Sequence, residues 1–141
     1  MTPGPEASSA YPGMELWERF ISGGRAGRTS MSAQSAVACV DPDGLGDLVR
    51  NRNYVVLDCW APWCAPCHIL GAMLRDLAPK YPEVAFARLN VQAYPEFQER
   101  LEIYGLPTLL AWRNGKLVHR VPGVPDWRAL KSMLDELVTG E

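Results

Sequence analysis

Tyr54–Trp60 reads Y-V-V-L-D-C-W, an apolar run with a single acid inside it. That is the pattern of a strand buried on both faces, and such a strand requires helices on either side of its sheet. The flanking sequence supplies them. A short apolar run at 37–40 ends at Asp41-Pro42, an N-cap followed by proline in the first helical position, which predicts a helix over 43–52. Ile69, Leu70, Met73, Leu74 and Leu77 recur at helical spacing and predict a long helix over 64–80. A strand at 84–91 and a helix at 95–104, stopped by Gly105 and Pro107, come next. Asn114-Gly115 lies between two further strands, at 108–113 and 116–121, and is a strong hairpin signal. Asp126 caps a last helix bearing Trp127, Leu130, Met133, Leu134, Leu137 and Val138. A βαβαβ unit followed by a ββα unit predicts the α/β class, with a central mixed sheet flanked by helices on both faces.

The 141 residues suffice for one domain, and with 48% hydrophobic residues that domain can bury a core without disulfide staples. A net charge of −2 argues against a nucleic-acid binder and against a polybasic membrane anchor. No run approaches the roughly 18 apolar residues of a spanning helix. Residues 1–35 differ in character: five Gly, three Pro and six Ser make 14 of 35 positions turn-forming, so this stretch reads as a flexible extension ahead of a domain at 36–141. Within it, Leu16, Trp17, Phe20 and Ile21 share one face of a short amphipathic helix at 14–22. That element reads as a turn docking on its own domain, a partner-binding element or a membrane-surface helix. Met31 is an alternative translation start. A secretory leader is not expected from the start of the chain, and the expected location is cytoplasmic.

Trp60-Ala-Pro-Trp-Cys-Ala-Pro-Cys-His68 sits where the buried strand gives way to a helix. With Cys64 at the first helical turn, its sulfur faces unpaired backbone N–H groups and the positive end of the helix dipole. Both favour the thiolate, which is the attacking species. Cys67 lies three residues on, on the same helical face, with its Cα about 5–6 Å away and within disulfide range. Pro66 is tolerated because its missing N–H would have been unpaired. The pair is suited to opening and closing.

W-A-P-W-C-A-P-C, the upstream V-V-L-D-C-W and G-L-P-T forty residues after Cys67 together resemble the thioredoxin family, and the likeness covers about 36–138. The resemblance implies the thioredoxin fold and a protein-disulfide reductase. Cys64 would be the nucleophile on a substrate disulfide and Cys67 the thiol that resolves the mixed disulfide. It further implies a cis bond at Pro107, with Leu106 exposing backbone to an extended substrate. Gly123, Ala65 and Pro66 would border the same groove, Trp63 would form an exposed apolar rim, and Trp60 a packed support. The implied partners are a thioredoxin reductase and disulfide-containing proteins, with no nucleic acid and no membrane. The protein is expected to act as a monomer and to need no cofactor beyond its redox-active disulfide.

Asp58 stands inside the buried strand, where a charge is costly unless its pKa rises or it finds a partner. It is either a satisfied structural acid or, as the resemblance implies, the base that takes the proton of Cys67. Arg88 matches the position where the family usually places a lysine, and arginine does not give up its proton. Ala72 replaces a helix-kinking proline, which predicts a straighter helix. His68 replaces a frequent lysine and reads either as a titratable charge near Cys64 or as a solvent-facing residue.

C-A-P-C-H also matches the c-type haem attachment pattern, but the flanking strand-to-helix turn already accounts for it. Cys64, Cys67 and His68 lack a fourth ligand at metal-site spacing, so no metal is expected. Cys39 and Cys59 read as small buried hydrophobes kept apart by the strand at 84–91. His119 and Asp43-Gly44 belong to no recognisable site. The competing reading is a client-docking module whose redox chemistry is secondary.

Overall fold

The computed structural model describes residues 29–30 and 36–140. The amphipathic stretch at 14–22 and Met31 lie outside the described residues. Six strands form one sheet: β1 (Thr29–Ser30), β2 (Val37–Val40), β3 (Tyr54–Trp60), β4 (Val84–Asn90), β5 (Thr108–Arg113) and β6 (Lys116–Pro122), in the order β1-β2-β4-β3-β5-β6. The inner strands β2, β4 and β3 run parallel, while β1, β5 and β6 are each antiparallel to their neighbours. The sheet is therefore mixed, as expected. Two residues from the stretch preceding position 36, Thr29 and Ser30, pair with Val40 and Cys39 as an edge strand.

Among the described residues, four α-helices cover the sheet: α1 (Pro42–Asn51), α2 (Ala65–Leu77), α3 (Pro95–Arg100) and α4 (Trp127–Thr139). Side chains alternate across a strand, so each strand contributes to two cores. Val55, Leu57 and Cys59 pack with Leu45 and Val49 of α1 and Phe97 of α3. Val56, Phe86 and Leu109 pack with Leu70, Leu74 and Leu77 of α2 and Leu130, Leu134 and Leu137 of α4. By the same alternation Asp58 and Arg88 face the α2–α4 layer.

The caps read from the sequence are in place. Asp41 accepts from the Gly44 amide at 2.8 Å and Asp126 from the Ala129 amide at 2.7 Å. Asn114 and Gly115 both take positive φ, 53° and 84°, as the tight hairpin between β5 and β6 requires.

Two helices end earlier than periodicity suggested. α2 closes at Leu77 and passes into a 3-10 turn, Ala78–Lys80. Pro79 inside that turn has no N–H with which to continue the α ladder. α3 stops at Arg100, and Glu102 takes the left-handed conformation at φ 57° that ends the helix before Gly105 is reached. Leu101 and Ile103 are both buried, so the chain must turn between them. Arg120 from β6 donates to the Leu101 carbonyl at 2.8 Å and the Glu102 carbonyl at 3.3 Å, and satisfies acceptors left by the early stop.

Cys39 corrects an expectation. Cys59 is fully buried but Cys39 is exposed. Alternation turns Cys39 to the α2–α4 face, on β2 beyond Arg88 of β4, where its side chain is exposed. The two cysteines are separated by β4, and they also face opposite sides of the sheet.

Candidate active site

The redox turn follows β3 directly. Cys64 is the N-cap of α2, and its sulfur accepts a hydrogen bond from the Cys67 amide at 3.2 Å. The two residues are joined as a disulfide, with Cα atoms 5.3 Å apart. The Cys67 amide is one of the orphan donors of the helix start, here directed at sulfur. Both cysteines are buried, Cys67 completely, while Ala65 and Pro66 between them are exposed. Trp63 is 71% exposed and forms an apolar rim. α2 runs unbroken through Ala72.

The antiparallel register sets Thr108 of β5 opposite Cys59 of β3. This brings the loop before β5 to the same sheet end as the redox turn. The Leu106–Pro107 bond in that loop is cis. The Pro107 carbonyl accepts from the Gly123 amide at 2.8 Å, and Thr108 Oγ1 donates to the Gly105 carbonyl at 2.7 Å. Gly123 adopts φ 81°, a conformation that favours glycine. Leu106, Pro107 and Gly123 are thus tied together as one wall, with Leu106 and Gly123 partly exposed.

Beneath the turn, Asp58 is wholly buried. Burial pushes its carboxyl up from 3.8 to about 6, against the opposing pull of Arg88 and, more weakly, Arg75. Arg88 Nε lies 3.4 Å from Asp58 Oδ2, and the guanidinium carbon sits 4.2 Å from the centroid of the Trp60 ring. Trp60 in turn meets the His68 ring edge-on at 6.1 Å, and His68 Nε2 lies 3.2 Å from the Pro62 carbonyl. A continuous set of contacts therefore runs from the buried acid to the redox turn. His68 is itself solvent-facing.

Three residues escaped the sequence reading. Gly71 on α2 packs against Arg88, and Arg75 approaches the same point. Arg120 anchors the 101–107 segment from across the sheet. A glycine in the interior of a helix, costing ~1 kcal/mol against alanine, was the available signal for the first. Among the described residues, no group of three or more His, Cys, Asp or Glu is placed to hold a metal ion, and no helix is long and apolar enough to cross a membrane.

A protein-family model described as thioredoxin matches residues 36–136. The chain is 37% identical over 79 residues to thioredoxin of Mycoplasma pneumoniae, covering 56% of this chain and 78% of that protein. It is 32% identical over 98 residues to glutaredoxin-3 of Homo sapiens, covering 65% of this chain but only 29% of that longer protein. Among solved structures, oxidised mitochondrial thioredoxin 3 from Saccharomyces cerevisiae superposes with a TM-score of 0.64 at 26% identity, covering 69% of this chain and 91% of that one.

Proposed function

Because the chain belongs to the thioredoxin family and carries the dithiol pair of a thiol-disulfide exchange protein, we propose that it is a protein-disulfide reductase. The observation that carries this reading is the placement of Cys64 as the N-cap of α2, with Cys67 on the same turn and the exposed Trp63 beside them. In the reduced protein the Cys64 thiolate attacks one sulfur of a client disulfide. A Cys64–client bond forms, and the second client sulfur leaves with the electron pair of the broken bond. Cys67 then attacks Cys64 Sγ, the Cys64–Cys67 bond forms, and the first client sulfur leaves as a thiolate. Two electrons have passed to the client.

Asp58 takes the proton that Cys67 must lose, and its carboxyl near 6 is mostly ionised at neutral pH, so it accepts. The wall of Leu106, Pro107 and Gly123 receives an extended client segment through backbone groups, with Ala65 and Pro66 on the opposite side. A thioredoxin reductase restores the dithiol, and no cofactor other than the disulfide takes part. The protein works as a monomer in the cytoplasm, where Cys39 stays a thiol.

Insulin-disulfide reduction with dithiothreitol tests the reading. The wild type accelerates it, and Cys64→Ser does not. Acceleration that survives in Cys64→Ser rules the mechanism out.

A further inference from the structure

The Asp58–Arg88 pair is close, yet hydrogen bonding does not direct it. Neither carboxylate oxygen of Asp58, nor Nε of Arg88, finds a hydrogen-bond partner among the described residues. Packing therefore fixes the guanidinium. One of its faces lies on the Trp60 ring. Its other flank meets α2 at Gly71, where a Cβ would stand 3.4 Å from Arg88 Nη2 and 3.5 Å from Cζ. Those are ordinary contact distances, so alanine fits, whereas any longer side chain would claim the volume of the guanidinium. Arg75 Nη1 comes within 3.6 Å of the same point, so a like charge guards that side.

We propose that Gly71 and Trp60 are positioning residues that act through Arg88: the slot between them holds its guanidinium beside Asp58 and thereby sets the lowest pH at which Asp58 can take the proton of Cys67. This rests on the proposed role of Asp58 in resolution. The proton moves from Cys67 Sγ to the carboxylate as that sulfur attacks Cys64, and it passes to water when Asp58 ionises again. The charged groups facing Asp58 are Arg88 from β4 and Arg75 from α2. From β5 it meets Leu109, which is apolar, and its neighbour Cys59 points to the other core. With so few partners, the position of one guanidinium decides how far burial can push the carboxyl up. Two features of the sequence thus gain one explanation: a glycine in the interior of α2, and an arginine where a smaller, more strongly hydrated ammonium would not fill the slot.

The test uses the full chain in its oxidised form and follows the Asp58 carboxyl carbon by NMR across the acid range in wild type, Gly71→Ala and Gly71→Leu. Gly71→Ala is expected to titrate as the wild type. Gly71→Leu, with Arg88 displaced, is expected to titrate about one pH unit higher, the lower end of what an opposite charge at this range supplies. A folded Gly71→Leu that titrates as the wild type overturns the proposal. Should that variant fail to fold, Trp60→Leu opens the slot from its other side. An upward move there, reversed in Trp60→Phe, supports the proposal, and an unmoved titration overturns it. Single-turnover resolution with a client disulfide completes the test. The acid limb of its rate is expected to follow the Asp58 titration, with a several-fold slower rate near pH 6. An acid limb that stays in place while Asp58 moves removes Asp58 as the base, and with it this inference, without touching the dithiol reaction itself.

Discussion

Arg88 Nε stands 3.4 Å from Asp58 Oδ2, and the carboxylate so approached is fully buried with no hydrogen bond to either oxygen. The ion pair is thus a partial answer to burial: desolvation outweighs Arg88 and leaves the carboxyl near 6, above its ordinary 3.8. The sign for stability follows from linkage. Between 3.8 and about 6 the folded protein holds a proton that the unfolded chain has released. The stability tied to this group is therefore complete below the unfolded value and is lost as pH rises through the folded one.

Asp58→Asn should accordingly stabilise the oxidised protein at pH 7–8 by about 2–3 kcal/mol, because each pH unit separating the folded from the unfolded titration is worth roughly 1.4 kcal/mol. The advantage should shrink towards pH 4, where wild-type Asp58 is already neutral. Urea unfolding at several pH values measures it. A variant no more stable than wild type at pH 8, or a gap that does not change with pH, contradicts the assignment.

The two cysteines should fail in different ways. Cys64 caps α2 and its sulfur receives the Cys67 amide, whereas Cys67 is completely buried behind it. Cys64→Ser should abolish exchange. Cys67→Ser should retain the first attack and accumulate a Cys64–client mixed disulfide, visible by mass spectrometry and released by dithiothreitol. Equal trapping by both variants would reverse the assigned order of attack.

Much of this was legible in the residues themselves. The buried strand at Tyr54–Trp60, the caps at Asp41 and Asp126 and the Asn114-Gly115 hairpin are local signals, and each is found in place. The Cys64–Cys67 spacing was equally local, and its Cα separation of 5.3 Å falls within the expected range. What sequence pattern missed was set by contacts across the sheet. α3 stops short of Gly105 because Leu101 and Ile103 must both be buried and Arg120, from β6, donates to the freed carbonyls. Cys39 is apolar by type and lies in an apolar run, yet it is exposed on β2, a strand set two places from β3 in the sheet. Gly71 meets Arg88 only because β4 lies beneath α2. No spacing rule along the chain encodes such contacts.

The exposure of Cys39 and the burial of Cys59 predict a sharp division in thiol labelling. Cys59 is fully enclosed, and burial, with the adjacent Asp58 charge, pushes its thiol well above its ordinary range. In the oxidised native protein a maleimide should modify Cys39 and spare Cys59, which should react only on unfolding. Peptide mapping after a short pulse gives the sites. Rapid native labelling of Cys59 would contradict the packing of the α1–α3 core.

Trp63 offers a change at the rim that leaves the core intact. With 71% of its surface exposed, the ring contributes little to folding, so Trp63→Ala should move the unfolding midpoint little. On the proposed reading a protein client would bury part of that ring on docking, so losing it should raise KM for insulin several-fold with kcat little changed. A small disulfide such as DTNB does not span the rim and should react as before. Equal loss on both substrates would mean that Trp63 acts on the dithiol rather than on client docking.

Arg120 should govern the opposite wall from a distance. It donates to the Leu101 and Glu102 carbonyls, and so ties β6 to the segment that carries Leu106 and Pro107. Glu102 holds a left-handed backbone that a side chain other than glycine adopts at some cost, so that turn relies on outside support. Arg120→Ala removes both donors, and the expected destabilisation is about 1–2 kcal/mol. The functional effect should be selective, because the Cys64–Cys67 turn is built from β3 and α2 and does not involve β6. Turnover of DTNB should therefore stay near wild type, while KM for insulin rises as the 101–107 segment loosens. Amide hydrogen exchange reads the cause directly: protection should fall at Ile103, whose amide bonds the Gln98 carbonyl at 2.9 Å, and persist at Leu70 within α2. If protection at Ile103 is unchanged while KM rises, Arg120 does not act through this segment.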